Sequence, residues 1–406
     1  MKTIIVIIFL LFTLTQLSAC GNRQDQTDAG NELTIATFRE NRFLEFAARK
    51  FEEINEGVSI TINTYGDETE FDTARYSQII NTALMGGGGE DIIDVSVLDW
   101  VTLADSNRLL DLKNKIYFSP ETHYQSILDA YLYNGGRFAV PLSFNFTAFR
   151  LDEPYTHIEI PNPLTLTALM SLAAEEPDVP LFISATGLCA VSLTHMMFEM
   201  NFSDYIDVRN KEANVDNEKF MSLLKNVSSI ENLRVREPGE MGIVWEILIY
   251  NPVMSVNGIE DYSGLFLLTN DDGESLFSPV GFLPSLNKNS PNQELALDFM
   301  RFLVSEEIQS SPELMFNPVN RNASAEMAVL VLGQVRAGGY AAEGFDLERN
   351  IAIFNELVES LRVVRHSDVF ISNFVRAELT RYFDGEVGLE QAAKNLQARL
   401  NTYLNE

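Results

Sequence analysis

Residues 76–97 read YSQIINTALMGGGGEDIIDVSV. Tyr76, Ile79, Ile80, Ala83 and Leu84 recur at i, i+3, i+4, i+7 and i+8, which puts them on one face of a helix. The glycines 86–89 stop that helix and turn the chain into Asp91–Val97, an apolar run of strand length. The same grammar precedes it. Leu33–Phe38 is a short strand, and Phe43, Phe46, Ala47, Phe51 and Ile54 share a helix face. Val58, Ile60 and Ile62 alternate with Ser59, Thr61 and Asn63, a strand with one buried face. Strand, helix, strand, helix, strand at these lengths predicts a parallel sheet with helical crossovers. Ligands of such sheets sit beyond the carboxyl ends of the strands, so the residues just after each strand are the ones to inspect.

A second unit of the same type follows in the middle of the chain. Pro163–Ala174 reads as a helix, Leu181–Ser184 as a strand and Thr186–Met200 as a helix whose His195 and methionines pack. Val253–Val256 reads as a buried strand ending at Asn257-Gly258. Leu295, Phe299, Phe302 and Leu303 mark one further helix, and Leu389, Ala392, Ala393, Leu396, Leu400, Tyr403 and Leu404 mark a long terminal one. No repeat of solenoid period is present.

At the N-terminus Lys2 supplies a positive flank and Ile4–Leu14 an apolar core of the length of a signal-peptide h-region, too short to span a bilayer. Leu17-Ser18-Ala19-Cys20 resembles the lipobox of bacterial lipoproteins, in which the cysteine is acylated and becomes residue one of the mature protein. The alternative is an ordinary signal whose cleavage site happens to contain a cysteine. On the lipobox reading residues 1–19 are removed, Cys20 carries the lipid, and 20–31 form a polar, flexible tether. Cys189 then has no disulfide partner within the chain; in Gly187–Val191 it reads as a buried small hydrophobe ahead of a reactive thiol.

The whole chain carries a formal charge of −29, and loss of Lys2 with residues 1–19 makes the mature value −30. So acidic a surface repels phosphate backbones and anionic headgroups, which argues against nucleic-acid binding and against a basic membrane-docking patch. Hydrophobic residues make up 46% of the chain, enough for sizeable cores in two or three domains' worth of length.

Four stretches, in this order, carry a resemblance over essentially the whole mature chain. They are Tyr76–Leu112 with EDIIDVSVLDWVTLADSNRLLDL, GGRFAVPLSFNFTAFRLD at 135–152, PVMSVNGIEDY at 252–262, and PVGFLPSLNKNSPNQELALDFMRFLVSEEIQ at 279–309. Together they resemble the extracellular solute-binding lipoproteins of ABC importers, of the maltodextrin-binding type. The resemblance implies an α/β, two-lobed periplasmic-binding-protein-like fold with discontinuous lobes, hinge crossings and a ligand cleft. It implies lobe 1 over 32–143 plus 278–316 and lobe 2 over 144–277 plus 317–406. It also implies a monomer, held at the extracytoplasmic face of the cell membrane, that delivers a small solute to permease subunits, with a saccharide as the leading class. No cofactor, metal or catalysis is implied.

Carried over by position, the ligand-binding candidates are Arg39, Glu40 and Asn41 after the first strand, Asp99 and Trp100 after the third, Phe144 and Asn145 in the crossing, Thr186 in the second-lobe turn, Glu260 and Tyr262 after the Asn-Gly turn, and Arg321. Trp100 and Tyr262 are the platform candidates, because a sugar ring needs aromatic faces for its C–H surfaces and paired polar groups for its hydroxyls. Trp100 reads equally as a site or a core residue, whereas Trp245, in an apolar run, reads as packing. Arg321 could bind an anionic group or, with Asn320, cap a helix. The chain departs from the sugar-binding pattern where Ile259-Glu260-Asp261 follow the Asn-Gly turn, an acidic pair that would suit a cationic or amine-bearing ligand.

The glycines 86–89 lack a following Gly-Lys-Ser or Gly-Lys-Thr and so are a turn and not a phosphate loop. Asn270–Glu274 lacks calcium-loop spacing and reads as a solvated loop. His123, His157, His195 and His366 lack metal-ligand spacing, and no Gly-x-Ser-x-Gly elbow is present. An exported glycan hydrolase built on two carboxylates, or a cell-envelope lipoprotein that binds without transport, are the competing functions.

Overall fold

The computed structural model describes residues 31–66, 73–151, 155–182, 189–231, 233, 243–249, 253–255, 258–259, 264–314, 316–338, 345–365 and 368–405. It opens with β1 (Glu32–Thr37), α1 (Arg42–Ile54), β2 (Ser59–Thr64), α2 (Thr73–Met85) and β3 (Ile92–Asp94). This is the order expected from periodicity. Asn41 starts α1, its side chain accepting the Leu44 N–H at 2.9 Å. The helix then buries Phe43, Leu44, Ala47, Ala48 and Phe51, and a fully buried Phe or Leu contributes about 1.5–3 kcal/mol. In α2 the buried residues are Tyr76, Ile80 and Leu84. Glycines end it because the turn needs them: Gly87 and Gly89 have φ of 78° and 95°, and a Cβ on Gly89 would lie 3.4 Å from that of Ala83.

β3 is shorter than the apolar run 91–97. At its end the Asp94 carboxylate accepts the Ser96 N–H at 3.0 Å and the Leu283 N–H at 3.2 Å, which turns the chain into the loop that follows. The chain continues into α3 (Trp100–Asp105) and the hairpin β4 (Leu132–Tyr133) and β5 (Gly136–Arg137). Asn134 and Gly135 join these strands with φ of 49° and 81°, the two positive values of a type I′ turn.

Beyond it lie β6 (Ser143–Leu151), α4 (Leu166–Glu175), β7 (Leu181–Phe182), α5 (Cys189–Met200), the hairpin β8 (Ile206–Asp207) and β9 (Glu212–Ala213), and α6 (Glu218–Ser228). Then come β10 (Ile243–Ile249), β11 (Met254–Ser255), β12 (Gly258–Ile259), β13 (Leu265–Phe266), β14 (Ser275–Pro279) and β15 (Pro284–Leu286). Of the run 253–256, expected as a buried strand, Met254–Ser255 form β11 and pair antiparallel with β12. The last elements are α7 (Gln293–Leu303), β16 (Asn317–Pro318), α8 (Arg321–Ala337), α9 (Leu347–Glu359), β17 (Leu361–Val364), α10 (Val369–Phe383) and α11 (Leu389–Asn405). No described helix is long and apolar enough to cross a membrane.

Two sheets organise these elements, ordered β15-β3-β1-β2 and β17-β14-β6-β10-β7. In the first, β1, β2 and β3 are parallel and β15 is antiparallel, pairing Pro284 with Asp94. β2 is an edge strand, which leaves Ile60 and Ile62 half-buried. In the second, β14 is parallel to β17 and β10 to β7, while β6 runs against both β14 and β10. Residues 280–283 therefore join the carboxyl end of β14 to the strand that pairs with the carboxyl end of β3. The carboxyl edges of the two sheets face one another across this crossing. Gly281 makes the crossing close, with φ of 72° and a virtual Cβ only 3.4 Å from Asn41 Nδ2.

Two cores fill the fold, and the first also takes in Phe144, Phe146 and Phe277 from strands of the second sheet. The first gathers Leu33, Ile35, Phe51, Ile92, Leu286 and Phe299, and reaches across the hinge layer to Phe354, Val358 and Leu361. Phe51 of α1 packs against Phe299 and Phe302 of α7 with ring centroids 5.2 and 5.3 Å apart. The second core gathers Phe149, Leu193, Phe198, Phe220, Val375, Leu396 and Leu400. These are two lobes, each completed by chain that returns from the other.

Candidate functional site

The facing carboxyl edges bring several of the expected residues together. On the first lobe Arg39 and Glu40 are exposed just after β1, and the Arg39 guanidinium lies 5.1 Å from the centre of the Phe38 ring. Asn41 is half-buried and occupied as the cap of α1. Asp99 is exposed and caps α3, accepting the Thr102 N–H at 3.1 Å and the Thr102 hydroxyl at 2.6 Å. Under these loops Asp94 is fully buried, and desolvation raises its pKa against the hydrogen bonds it accepts.

Trp100 is half-buried at the start of α3, its ring centre 6.0 Å from that of Tyr131 and 6.1 Å from that of Tyr133, the latter edge-on. Tyr131 is fully buried, so only Trp100 and Tyr133 present surface here, and the cluster ends in a bridge between lobes. Arg209, in the β8–β9 hairpin of the second lobe, donates from Nε and Nη2 to the two carboxylate oxygens of Asp105 at 3.2 and 3.3 Å. It also donates to the Tyr133 hydroxyl, which itself donates to Asp105 at 2.8 Å. The lobes approach near here at a second point. Tyr403 of α11 donates to Asp368 at 2.9 Å, and burial, Asp368 and the charge of Asp99 across the gap all raise its pKa.

On the second lobe Phe144 is fully buried, packed edge-on against Tyr124 and Phe277 at 5.8 and 6.2 Å. Its neighbour Asn145 is 8% exposed, and its Oδ1 has no hydrogen-bond partner. Asn145, Ser278 and Arg365 line a small cavity of about 10 Å³ at this edge. Behind it His195 of α5 is buried, with Nε2 2.9 Å from the Ser372 hydroxyl and 3.4 Å from the Glu199 carboxylate. Burial, reinforced by Arg376 and Arg365, pushes the His195 pKa down to about 3, so the ring is neutral. Among the described residues no group of three or more His, Cys, Asp or Glu is placed to hold a metal ion.

Arg321 stands apart. Asn320 caps α8 with its side chain, while Arg321 pairs with Glu359 at 2.8 Å and lies over the Tyr124 ring at 4.7 Å. The anchor Cys20 and the candidates Thr186, Glu260 and Tyr262 fall outside the described residues, as do the side chains of Cys189 and Trp245.

Sequence reasoning missed Tyr131, Tyr133, Arg209 and Arg365. The Tyr-Asn-Gly run at 133–135 is a hairpin signal that could have placed the two tyrosines. Nothing local marks Arg209, whose partner lies 104 residues away.

No family model matches the sequence, and no curated protein is similar to it. Solved structures are similar over nearly its whole length. An extracellular solute-binding protein family 1 member from Alicyclobacillus acidocaldarius is 14% identical, with a TM-score of 0.58 over 93% of this chain and 99% of its own. The cyclic alpha-maltosyl-1,6-maltose binding protein of Arthrobacter globiformis is 14% identical, with a TM-score of 0.54 over 92% and 99%. The GacH receptor of Streptomyces glaucescens, solved unliganded and with acarbose, is 16% identical, with a TM-score of 0.51 over 93% and 99%. At these identities the likeness speaks of architecture, and it agrees with the paired sheets and the hinge crossing: this chain has the two-lobed α/β fold of the extracellular solute-binding proteins.

Proposed function

We propose that this protein is a lipid-anchored receptor that captures a small solute, with a saccharide as the leading class, and delivers it to an ABC permease. The observation that carries the reading is the pair of facing carboxyl edges, with half-buried Trp100 and Tyr133 packed on the first lobe over the fully buried Tyr131. Ligands of parallel sheets bind at such edges, and aromatic faces suit the C–H surface of a sugar ring. Lobe 1 is taken as 32–143 plus 278–316 and lobe 2 as 144–277 plus 317–406. Arg39, Glu40, Asp99 and Trp100 would contact the solute from the first lobe, with Asn145, Thr186, Glu260 and Tyr262 from the second. Hinge closure around the solute is the state a permease would engage. The monomer would be tethered outside the cell through acylated Cys20.

A thermal-shift screen of the mature protein across neutral and acidic oligosaccharides, amines and peptides tests the capture. A bound solute raises the melting temperature with the logarithm of its excess. Absence of any saccharide-dependent shift would remove the saccharide class, and release of a cleaved product would replace the receptor with a hydrolase. Metabolic labelling with a clickable fatty acid, compared between the natural chain and Cys20→Ala, tests the anchor.

A further inference from the structure

Resting on that solute-capture reading, we infer that Arg209 is a positioning residue for capture. From the second lobe it clasps Asp105 and Tyr133 of the first, so that closure of the lobes fixes the Tyr133 edge against which Trp100 is set.

The β8–β9 hairpin is built to present this side chain. Asp207 closes the turn, its two carboxylate oxygens accepting the Asn210 N–H at 2.9 Å and the Asn210 side-chain amide at 2.8 Å, and Lys211 takes a φ of 55°. The base of the hairpin is fixed as well. Ile206 and Ala213 belong to the second core, and the Ala213 N–H donates to Asn401 Oδ1 of α11 at 2.9 Å. The guanidinium therefore moves with its lobe.

Across the gap Asp105 gathers donors from both sides. Besides the two-pronged bond from Arg209 it accepts the Tyr133 hydroxyl at 2.8 Å and the Asn134 side-chain amide at 3.5 Å. The guanidinium also bonds the Tyr133 hydroxyl and lies 5.6 Å from the centre of its ring. Tyr133 thus meets three neighbours at once: Asp105, Arg209, and Trp100, to which its ring stands edge-on at 88°. Trp100 and Asp105 are the two ends of one short helix. With the clasp made, the half-buried Trp100 and Tyr133 have less freedom left to lose when a ring stacks on them. Only a planar fork serves a carboxylate and a phenol together, which is why the residue is arginine.

Salt gives the role a signature of its own. Both lobes carry more acidic than basic side chains, so screening their mutual repulsion would tighten the binding of a neutral solute. Screening the Arg209–Asp105 pair loosens it. A neutral sugar that binds more weakly as salt rises therefore reports the clasp.

Titration calorimetry of the mature protein with neutral maltotetraose, cellotetraose and mannotetraose, at about 20 mM and about 1 M sodium chloride, reads this sign. The sugar that binds should lose about three- to fivefold in affinity at the higher salt. Arg209→Gln should show that weakening already at low salt and lose no more at high salt, and Arg209→Lys should keep part of the salt dependence. A second measurement needs no solute. In a Trp245→Phe background, acrylamide quenching of Trp100 should rise with salt, and in Arg209→Gln it should be high throughout. The calorimetry keeps the test decisive if Trp245→Phe fails to fold. Binding that ignores both salt and Arg209→Gln, or quenching that is the same in both chains, overturns the positioning role and leaves saccharide capture standing. If no saccharide binds, the capture reading fails and the role falls with it.

Discussion

The two lobes present the cleft with edges of opposite character. In the first lobe buried carboxylates are turned inward onto the backbone: Asp91 accepts from Thr34 N at 2.8 Å and from the Ser290 hydroxyl at 2.6 Å, and Asp94 from Ser96 and Leu283. In the second lobe the half-buried Arg365 and the exposed Arg376 stand near the buried, neutral His195. Carboxylates held by backbone N–H and hydroxyl donors fix the loops above them. The first lobe thus carries its buried charge as hydrogen-bonded carboxylates, and the second sets guanidiniums around a neutral imidazole.

The contrast can be broken most severely at Asp94. Asp94→Ala leaves buried N–H groups of Ser96 and Leu283 without an acceptor, and the expected loss is about 3–4 kcal/mol of stability. In urea melts the first lobe should then unfold ahead of the second; a single transition shifted as a whole would show that the two lobes stand or fall together.

A pH series sharpens the second half of the comparison. The ordinary pKa of His195 is 6.5 and its folded value is about 3, so between these the unfolded chain binds a proton that the native chain refuses. Stability from this group is complete above about pH 6.5 and declines as pH falls toward 3, by about 2 kcal/mol at pH 5. Melting temperatures of the natural protein and of His195→Gln, compared from pH 7 to 5, should diverge in slope.

Next in size comes the aromatic cluster. Trp100→Ala should weaken the identified solute about tenfold in calorimetry with little change in melting temperature of the free protein. An unchanged affinity would remove the platform assignment.

The smallest expected effect is at the bridge between lobes. Arg209 and Asp105 side chains are 55% and 35% exposed, so Arg209→Ala should shift the balance of open and closed forms by no more than about 1 kcal/mol. Small-angle scattering of the ligand-free protein would report a larger radius of gyration at low salt, and about 1 M salt should abolish the difference from the natural chain.

The alternation of β1, α1, β2, α2 and β3 was legible because it is written in local periodicity, down to Phe43, Ala47 and Phe51 on one helix face. The premature end of β3 was not, since it follows from where the Asp94 side chain finds donors, one of them on Leu283. The same ambiguity touched the site. A polar residue just before a helix serves equally as a cap or as a ligand group, and Asn41 and Asp99 both serve as caps here. Trp100 could be singled out by its type and place after a strand. Its partners Tyr131 and Tyr133 arrive through a hairpin, and Arg209 and Arg365 through tertiary folding, which leaves no periodic trace.

The pairing of β15 with β3 joins positions about 190 residues apart, as the Leu283–Asp94 bond measures directly. As the chain is made from its amino end, the earliest sheet keeps an open flank until residue 286 is available. Such distant pairing slows folding. The first lobe therefore cannot lock shut until more than two thirds of the chain has emerged.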